Sequence, residues 1–151
     1  MTESEERIDE KLDQLLQGMR VVLPGVQVMF AFLLAVPFQQ RWIEVDLVNR
    51  GAYLVALIAT AAASVLLITP AAQHRLLFRD SQAERMLRRG NWYGFAGVLC
   101  VGVAISAAVF LVVDVVIGRG AAVTLCAIST AACLWTSVVQ PFVTRERTQR
   151  G

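Results

Sequence analysis

The stretch RVVLPGVQVMFAFLLAVPFQQRW, residues 20–42, decides which solvent this chain folds in. From Val21 to Phe38 only Gln27 interrupts a run of apolar side chains and helix breakers. At 1.5 Å per residue, a helix of that length approaches the ~30 Å hydrocarbon thickness of a bilayer. Yet the run holds Pro24-Gly25 near its start and ends on Pro37-Phe38-Gln39-Gln40-Arg41. Such groups disturb a helix where no water can satisfy a freed carbonyl. Pro24 withholds the donor that the carbonyl of Arg20 would use, and Gly25 loosens the next turn. Two readings stand. Pro24 and Gly25 form a hinge that lets the chain turn as it enters the membrane, or a broken helix with Gln27 beside it builds a polar site, as in transporters.

Composition extends the lipid reading to the rest of the chain. Hydrophobic residues are 56% of the 151, charged residues only 17%, and the mean hydropathy is +0.57. A water-soluble domain of this size has too little polar surface to cover so much apolar side chain. The net charge of +2 is small, and the arginines fall in short clusters at segment ends without interleaved aromatics. That pattern argues against nucleic acid as a partner. Cys100, Cys126 and Cys133 all lie in apolar runs, no Cys-x-x-Cys pair occurs, and the single His74 is far off in sequence. No disulfide framework, metal site or cofactor is expected, and the cysteines read as small packing residues. The first twenty residues carry six acidic and three basic side chains, unlike a secretory signal, so the first apolar segment is expected to stay in the mature protein.

Four apolar stretches have the length to cross, at about residues 21–38, 52–68, 92–117 and 121–143. None shows the period-two alternation of a barrel strand. The fold class expected is all-α: a four-helix transmembrane bundle (21–143) preceded by a cytoplasmic amphipathic helix (1–20) and followed by a basic cytoplasmic tail (144–151). Eleven basic residues fall in the N-terminal segment, the second connection and the C-terminal tail, against Arg41, Arg50 and Arg119 on the other side. The excess predicts a multi-pass protein of the cytoplasmic membrane with both termini inside. Trp42 and Tyr53 then mark the outer interface, and Trp92 and Tyr93 the inner one.

In the N-terminal segment, Ile8, Leu12, Leu15, Met19 and Val22 recur at spacings of four and three, one stripe along a helix. This segment is acidic, whereas interfacial helices are rich in lysine and arginine. It is expected to pack against the protein's own connection around DSQAERMLRRGN, where five arginines face two acids. Lying on the membrane and forming a short coiled coil are the competing readings.

The runs LPGVQVMFAFLLAVPFQQR, YLVALIATAAASVLLITPAAQHRLLFR and AAVFLVVDVVIG resemble a family of small actinobacterial integral membrane proteins with four predicted spans. The likeness covers nearly the whole chain. That family is a domain of unknown function, and some members carry the label sodium:proton antiporter. The resemblance implies a membrane protein with a link to ion transport, and it supplies no functional residue.

Polar groups inside the spans are functional candidates because they are costly there. Asp114 is the only acid or base within a span, about one turn from the outer end at Gly118. There it either reaches interfacial water or Arg119 as a structural carboxylate, or it serves as a proton or cation site. Gln27 either bonds to a neighbouring helix or freed backbone, or lines a site. Gln39, Gln40 and Arg41 at the outer end, and Gln140 near the inner end, complete the transport candidates.

Small residues repeat every four positions: Ala52, Ala56, Thr60 and Ser64; Gly102 and Ser106; Ser129, Cys133 and Ser137. Such faces suit close helix packing in lipid. The pair IATAAA (58–63) and ISTAAC (128–133), offset by 70, hints at a duplication.

No Gly-rich phosphate loop, paired acids within a span or nucleophile–base pattern is present, so an enzyme is not expected. Two functions remain. The first is a small ion- or proton-coupled transporter or channel, working as a homo-oligomer, a dimer in the simplest case, because four spans leave little room for a private pathway. The second is a non-transporting scaffold or regulator that binds a cytoplasmic protein partner through its N-terminal helix and basic connection.

Overall fold

The structure is a computed structural model that describes residues 3–77 and 83–139. Four long helices dominate it: α1 (Glu3–Ala35), α2 (Leu47–Leu77), α3 (Ala83–Val116) and α4 (Arg119–Leu134). No strand occurs among the described residues. Each helix contributes a segment long and apolar enough to cross a membrane: Arg20–Phe38, Leu47–Pro70, Trp92–Val116 and Arg119–Ser137. The all-α, four-helix architecture expected of a membrane protein is therefore observed. The second span starts at Leu47 rather than Ala52, because Asn49 and Arg50 are carried inside the helix. The fourth ends in a π turn, Trp135–Val139.

One expectation is corrected. α1 runs unbroken from Glu3 to Ala35 with Pro24 inside it, so the amphipathic segment and the first span are a single helix. Pro24 and Gly25 both sit on the exposed side, and a Cβ added at Gly25 would meet nothing. No neighbour forces a turn there, and the loss of one backbone bond does not break the turns on either side. α1 gives way at Pro37 to a 3-10 turn, Val36–Phe38, where a missing donor matters least. A second 3-10 turn, Gln40–Glu44, leads into α2. Pro70 likewise lies within α2, which continues to Leu77. The side chains of the N-terminal apolar stripe up to Met19, the second connection they were expected to meet, the side chain of His74 and the C-terminal tail lie outside the described residues.

Among the described residues, α1, α2 and α3 touch one another, whereas α4 touches α3 alone of the long helices. The core has two levels. Val26 of α1 packs with Ala63 and Leu67 of α2 at one; Leu33, Tyr53, Ala56 and Leu111 meet at the other. Trp42 stands edge-on to Tyr53 with ring centroids 4.8 Å apart, which closes the second level at the end where α1 hands over to α2. Among the described residues, those buried in α2 are Asn49, Tyr53, Ala56, Thr60, Ala63, Leu67 and Pro70, one stripe at spacings of four and three.

Small residues set the helix spacing, as their periodicity suggested. A Cβ at Gly97 would lie 2.8 Å from Cγ of Leu67, a side chain only 2% exposed, so α2 and α3 approach closely only because residue 97 is glycine. A Cβ at Gly102 would come within 3.2 Å of Cβ of Cys133, and Ser106 Oγ donates to Ser129 Oγ at 3.4 Å. The stripes on α3 and α4 thus pack on each other. Thr60 donates to the Ala56 carbonyl at 2.7 Å and Ser64 to the Thr60 carbonyl at 2.9 Å, so these hydroxyls are satisfied by their own helix. The two similar hexapeptides occupy different settings: Thr60 is fully buried and Thr130, its equivalent at the offset of 70, is exposed.

Candidate functional site

The antiparallel course of the helices brings three ends together: the start of α2, the end of α3 and the start of α4. Asp46 precedes α2 as its N-cap, and its Oδ1 accepts from the backbone N–H of Asn49 at 2.9 Å. A short acid at that position satisfies a donor the helix cannot. Asn49 heads the buried stripe of α2, so its amide is carried inward; the residue is 5% exposed. Its Nδ2 donates to Asp114 Oδ2 at 2.6 Å.

Asp114 stands in the last turn of α3, where the helix dipole is negative, and Arg119 opens α4, where it is positive. Each charge is therefore at the unfavourable end of its own helix. They offset this by pairing. Arg119 Nε donates to Asp114 Oδ1 at 3.0 Å while its Nη2 lies 2.9 Å from Oδ2, a two-pronged contact. The same Nη2 donates to Asp46 Oδ2 at 2.5 Å. Gly118 makes this possible: with φ 124° and ψ 169° it occupies a region essentially closed to other residues, so α4 starts immediately after α3. The turn is held by the N–H groups of Ile117 and Gly118, both donating to the Val113 carbonyl.

Two carboxylates against one guanidinium leave the cluster with one negative charge in excess. The backbone N–H of Asn49 and the side chain of Arg119 hold the Asp46 carboxyl below the ordinary carboxylate value. The side chain of Asp114 is only 6% exposed, against about half for Asp46 and Arg119. One atom of the group is unsatisfied: Asn49 Oδ1 is buried with no hydrogen-bond partner. The guanidinium of Arg119 also lies 5.9 Å from the ring centroid of Phe110. Phe110 borders an apolar groove of about 510 Å³ that follows α3 between α2 and α4, with Gly102, Ser106, Cys126 and Thr130 among its walls.

Of the candidates read from the sequence, Asp114 lies in this cluster and does reach Arg119. The glutamines are elsewhere. Gln27 is exposed on α1 and its side chain makes no hydrogen bond among the described residues, because the stripe that enters the core runs through Val26 and Leu33 instead. Gln39 and Gln40 are exposed on the connection between α1 and α2; Arg41 lies in the same connection, its side chain outside the described residues, as is Gln140. Asp46 and Asn49 were missed. Their local signal was legible: Asp46-x-x-Asn49 is an N-cap pattern, and Asn49 extends the α2 stripe by one more step of four from Tyr53. Among the described residues no group of three or more His, Cys, Asp or Glu side chains is close enough to hold a metal ion.

No curated protein and no solved structure matches the chain. A match to a family of unknown function, DUF6328, covers residues 2–141 and with them every member of the cluster, and the protein belongs to that family.

Proposed function

We propose that this protein is a small ion- or proton-coupled transporter of the cytoplasmic membrane, with both termini inside, working as an assembly of copies. The observation that carries this reading is the state of Asp114. It is the one acid within the described spans, nearly covered, and set in a cluster with an uncompensated negative charge beside a buried carbonyl oxygen without a partner. Intramembrane acids of this kind are costly and mark ion or proton routes. Away from the cluster, the buried residues among those described are apolar or hydroxyls bonded to their own helix or its neighbour, which supports a pathway at the boundary between copies. α4, with a single helical neighbour, leaves a flank for that boundary. The distribution of basic residues supports the orientation.

The test is flux. Purified protein in liposomes dissipates an imposed proton or sodium gradient, and Asp114→Asn lowers the rate at least tenfold. Absence of gradient-dependent flux in the unaltered protein overturns the reading.

A second reading, a scaffold or regulator, is favoured by one observation: both oxygens of Asp114 already have donors, as a purely structural clasp requires. On that reading the cluster ties three helix ends together, and the N-terminal part of α1 recruits a cytoplasmic partner. Removal of residues 1–19 then abolishes partner capture, while the membrane domain is retained.

A further inference from the structure

We infer that the apolar groove along α3 holds one acyl chain of a phospholipid whose headgroup carries a primary amine, with that ammonium on Asp46. Lipid binding there needs no ion movement and stands apart from the transport reading.

The groove follows from helix spacing. Gly97 lets α2 close on α3 over Leu67, and Gly102 lets α4 close on α3 at Cys133. Among the described residues α2 and α4 do not touch each other, so a furrow is left between them with α3 as its floor. Its exposed lining is almost wholly apolar, and it follows α3 from Val98 to Phe110.

Size selects the occupant. At 1.5 Å per residue, Val98 to Phe110 is a length of about 18 Å. That is a little more than half the ~30 Å hydrocarbon thickness, the depth a chain of one leaflet covers. Spread over this length, the volume of about 510 Å³ leaves a mean section of about 28 Å². A methylene chain, with its neighbours about 4 Å away, occupies roughly 15–25 Å². A helix about 10–12 Å across needs roughly 80–110 Å² and would only rest on the rim. Gly102, the small residue a second helix would seek, is already covered by Cys133.

Charge selects the headgroup. Phe110, at one end of the groove, has its ring centre 5.9 Å from the Arg119 guanidinium, so the groove opens beside the charged cluster. Asp114 lies one turn of α3 beyond Phe110, and Asp46 lies six residues before Ala52, the α2 wall at that end. The carboxylates thus stand about 6–9 Å further along the helix axes. The polar zone of a bilayer is about 5–8 Å deep on each side, so a lipid with its chain in the groove brings its headgroup to the cluster. Two carboxylates against one guanidinium leave a negative charge unbalanced, and Asp46 is the half-exposed carboxylate at which it can be met. An anionic headgroup is therefore disfavoured. An ethanolamine ammonium, like that of lysine, offers three N–H donors to Asp46, whereas choline has none. The lipid phosphate finds its own partner in Arg119, whose Nη1 makes no hydrogen bond among the described residues.

The experiment uses the full chain in detergent, incubated with an equal mixture of phosphatidylethanolamine and phosphatidylcholine of identical chains. Native mass spectrometry counts the lipid retained. One phosphatidylethanolamine per chain is expected, at least fivefold over phosphatidylcholine. Thr130 lines the groove and is exposed, so Thr130→Phe fills the furrow and should lower retention at least fivefold. Ile128→Phe, on a face of α4 outside the groove, should leave it unaltered. If Thr130→Phe does not fold, Val103→Phe fills the same furrow from α3. Asp46→Asn keeps a helix cap and should retain a lipid while the two headgroups become equal. Equal retention of the two lipids by the unaltered protein overturns the proposal. Retention undiminished by a filled groove does so too, since it would mean annular lipid only, and so does a dimer whose formation excludes lipid. Proton or sodium flux without headgroup selectivity removes this site and leaves the transport reading; selectivity without flux does the reverse.

Discussion

α2 and α4 make an instructive pair. Both are apolar helices that carry small residues toward α3, and both cross with similar sequence texture. Yet 28% of the α2 span is buried and only 6% of the α4 span. α2 lies between α1 and α3 and presents a continuous stripe from Asn49 to Leu67 to both. α4 has one helical neighbour, and what fixes it there is a narrow seam (Gly102 on Cys133, Ser106 on Ser129) together with the turn at Gly118 and the grip of Arg119. In lipid, apolar surface by itself does not drive helices together, since the tails are as apolar as leucine. Close packing and polar contacts must do it. α2 is held mainly by the first, α4 in larger measure by the second.

That contrast can be broken by substitution. The largest effect is expected at Gly97. Valine there drives its Cβ into Leu67, which is enclosed and cannot retreat, and overpacking of this kind costs about 1–3 kcal/mol, with this site at the upper end. Reversible unfolding in mixed detergent micelles should show the α1–α2–α3 unit destabilised; an unchanged midpoint would mean that α2 and α3 are not this close. Next comes Gly118. Alanine must adopt φ 124°, at a cost of about 1–3 kcal/mol, nearer the middle of that range because the turn is open to relaxation. The damage should be confined to α4: faster hydrogen exchange in residues 119–134 with α2 protected. Equal loss in both helices would refute the division drawn here.

The smallest effect sharpens the comparison through pH. The Asp46 carboxyl is held below its ordinary value by the Asn49 backbone N–H and by Arg119. A carboxyl depressed in the folded state contributes stability that is fully present above its unfolded value of about 3.9 and disappears as pH falls through the lower folded value. Acidification below about pH 4 should therefore loosen α4 before α2, with no change between pH 5 and 8 from this group. Because Asp46 and Arg119 are about half exposed, salt should weaken the effect. Asp46→Asn should flatten the acid limb; if it does not, other carboxylates control the transition.

Much of the fold was open to reading from residue order. Val21–Phe38 and the three later stretches declare a lipid solvent because hydropathy is a sum over neighbours in sequence, and helices follow because only they satisfy every backbone group within one segment. The meeting of Asp114 with Arg119 was also legible, since five residues across a tight turn leave few alternatives. Pro24 lies within one continuous helix, because a helix breaker is read locally while its outcome depends on the packing around it, and no neighbour crowds Gly25. The glutamines were placed by the tertiary structure alone: polarity says that a side chain is costly in lipid, not which way it faces, and Gln27, Gln39 and Gln40 face outward from this chain rather than into the cluster. Only the tertiary structure decided that Asp46 and Asn49, distant from Asp114 and Arg119 along the chain, share one pocket of charge with them, and that α4 has a single neighbour. Those facts depend on helix register and on approach distances set by Gly97 and Gly102, which no local sum along the sequence contains.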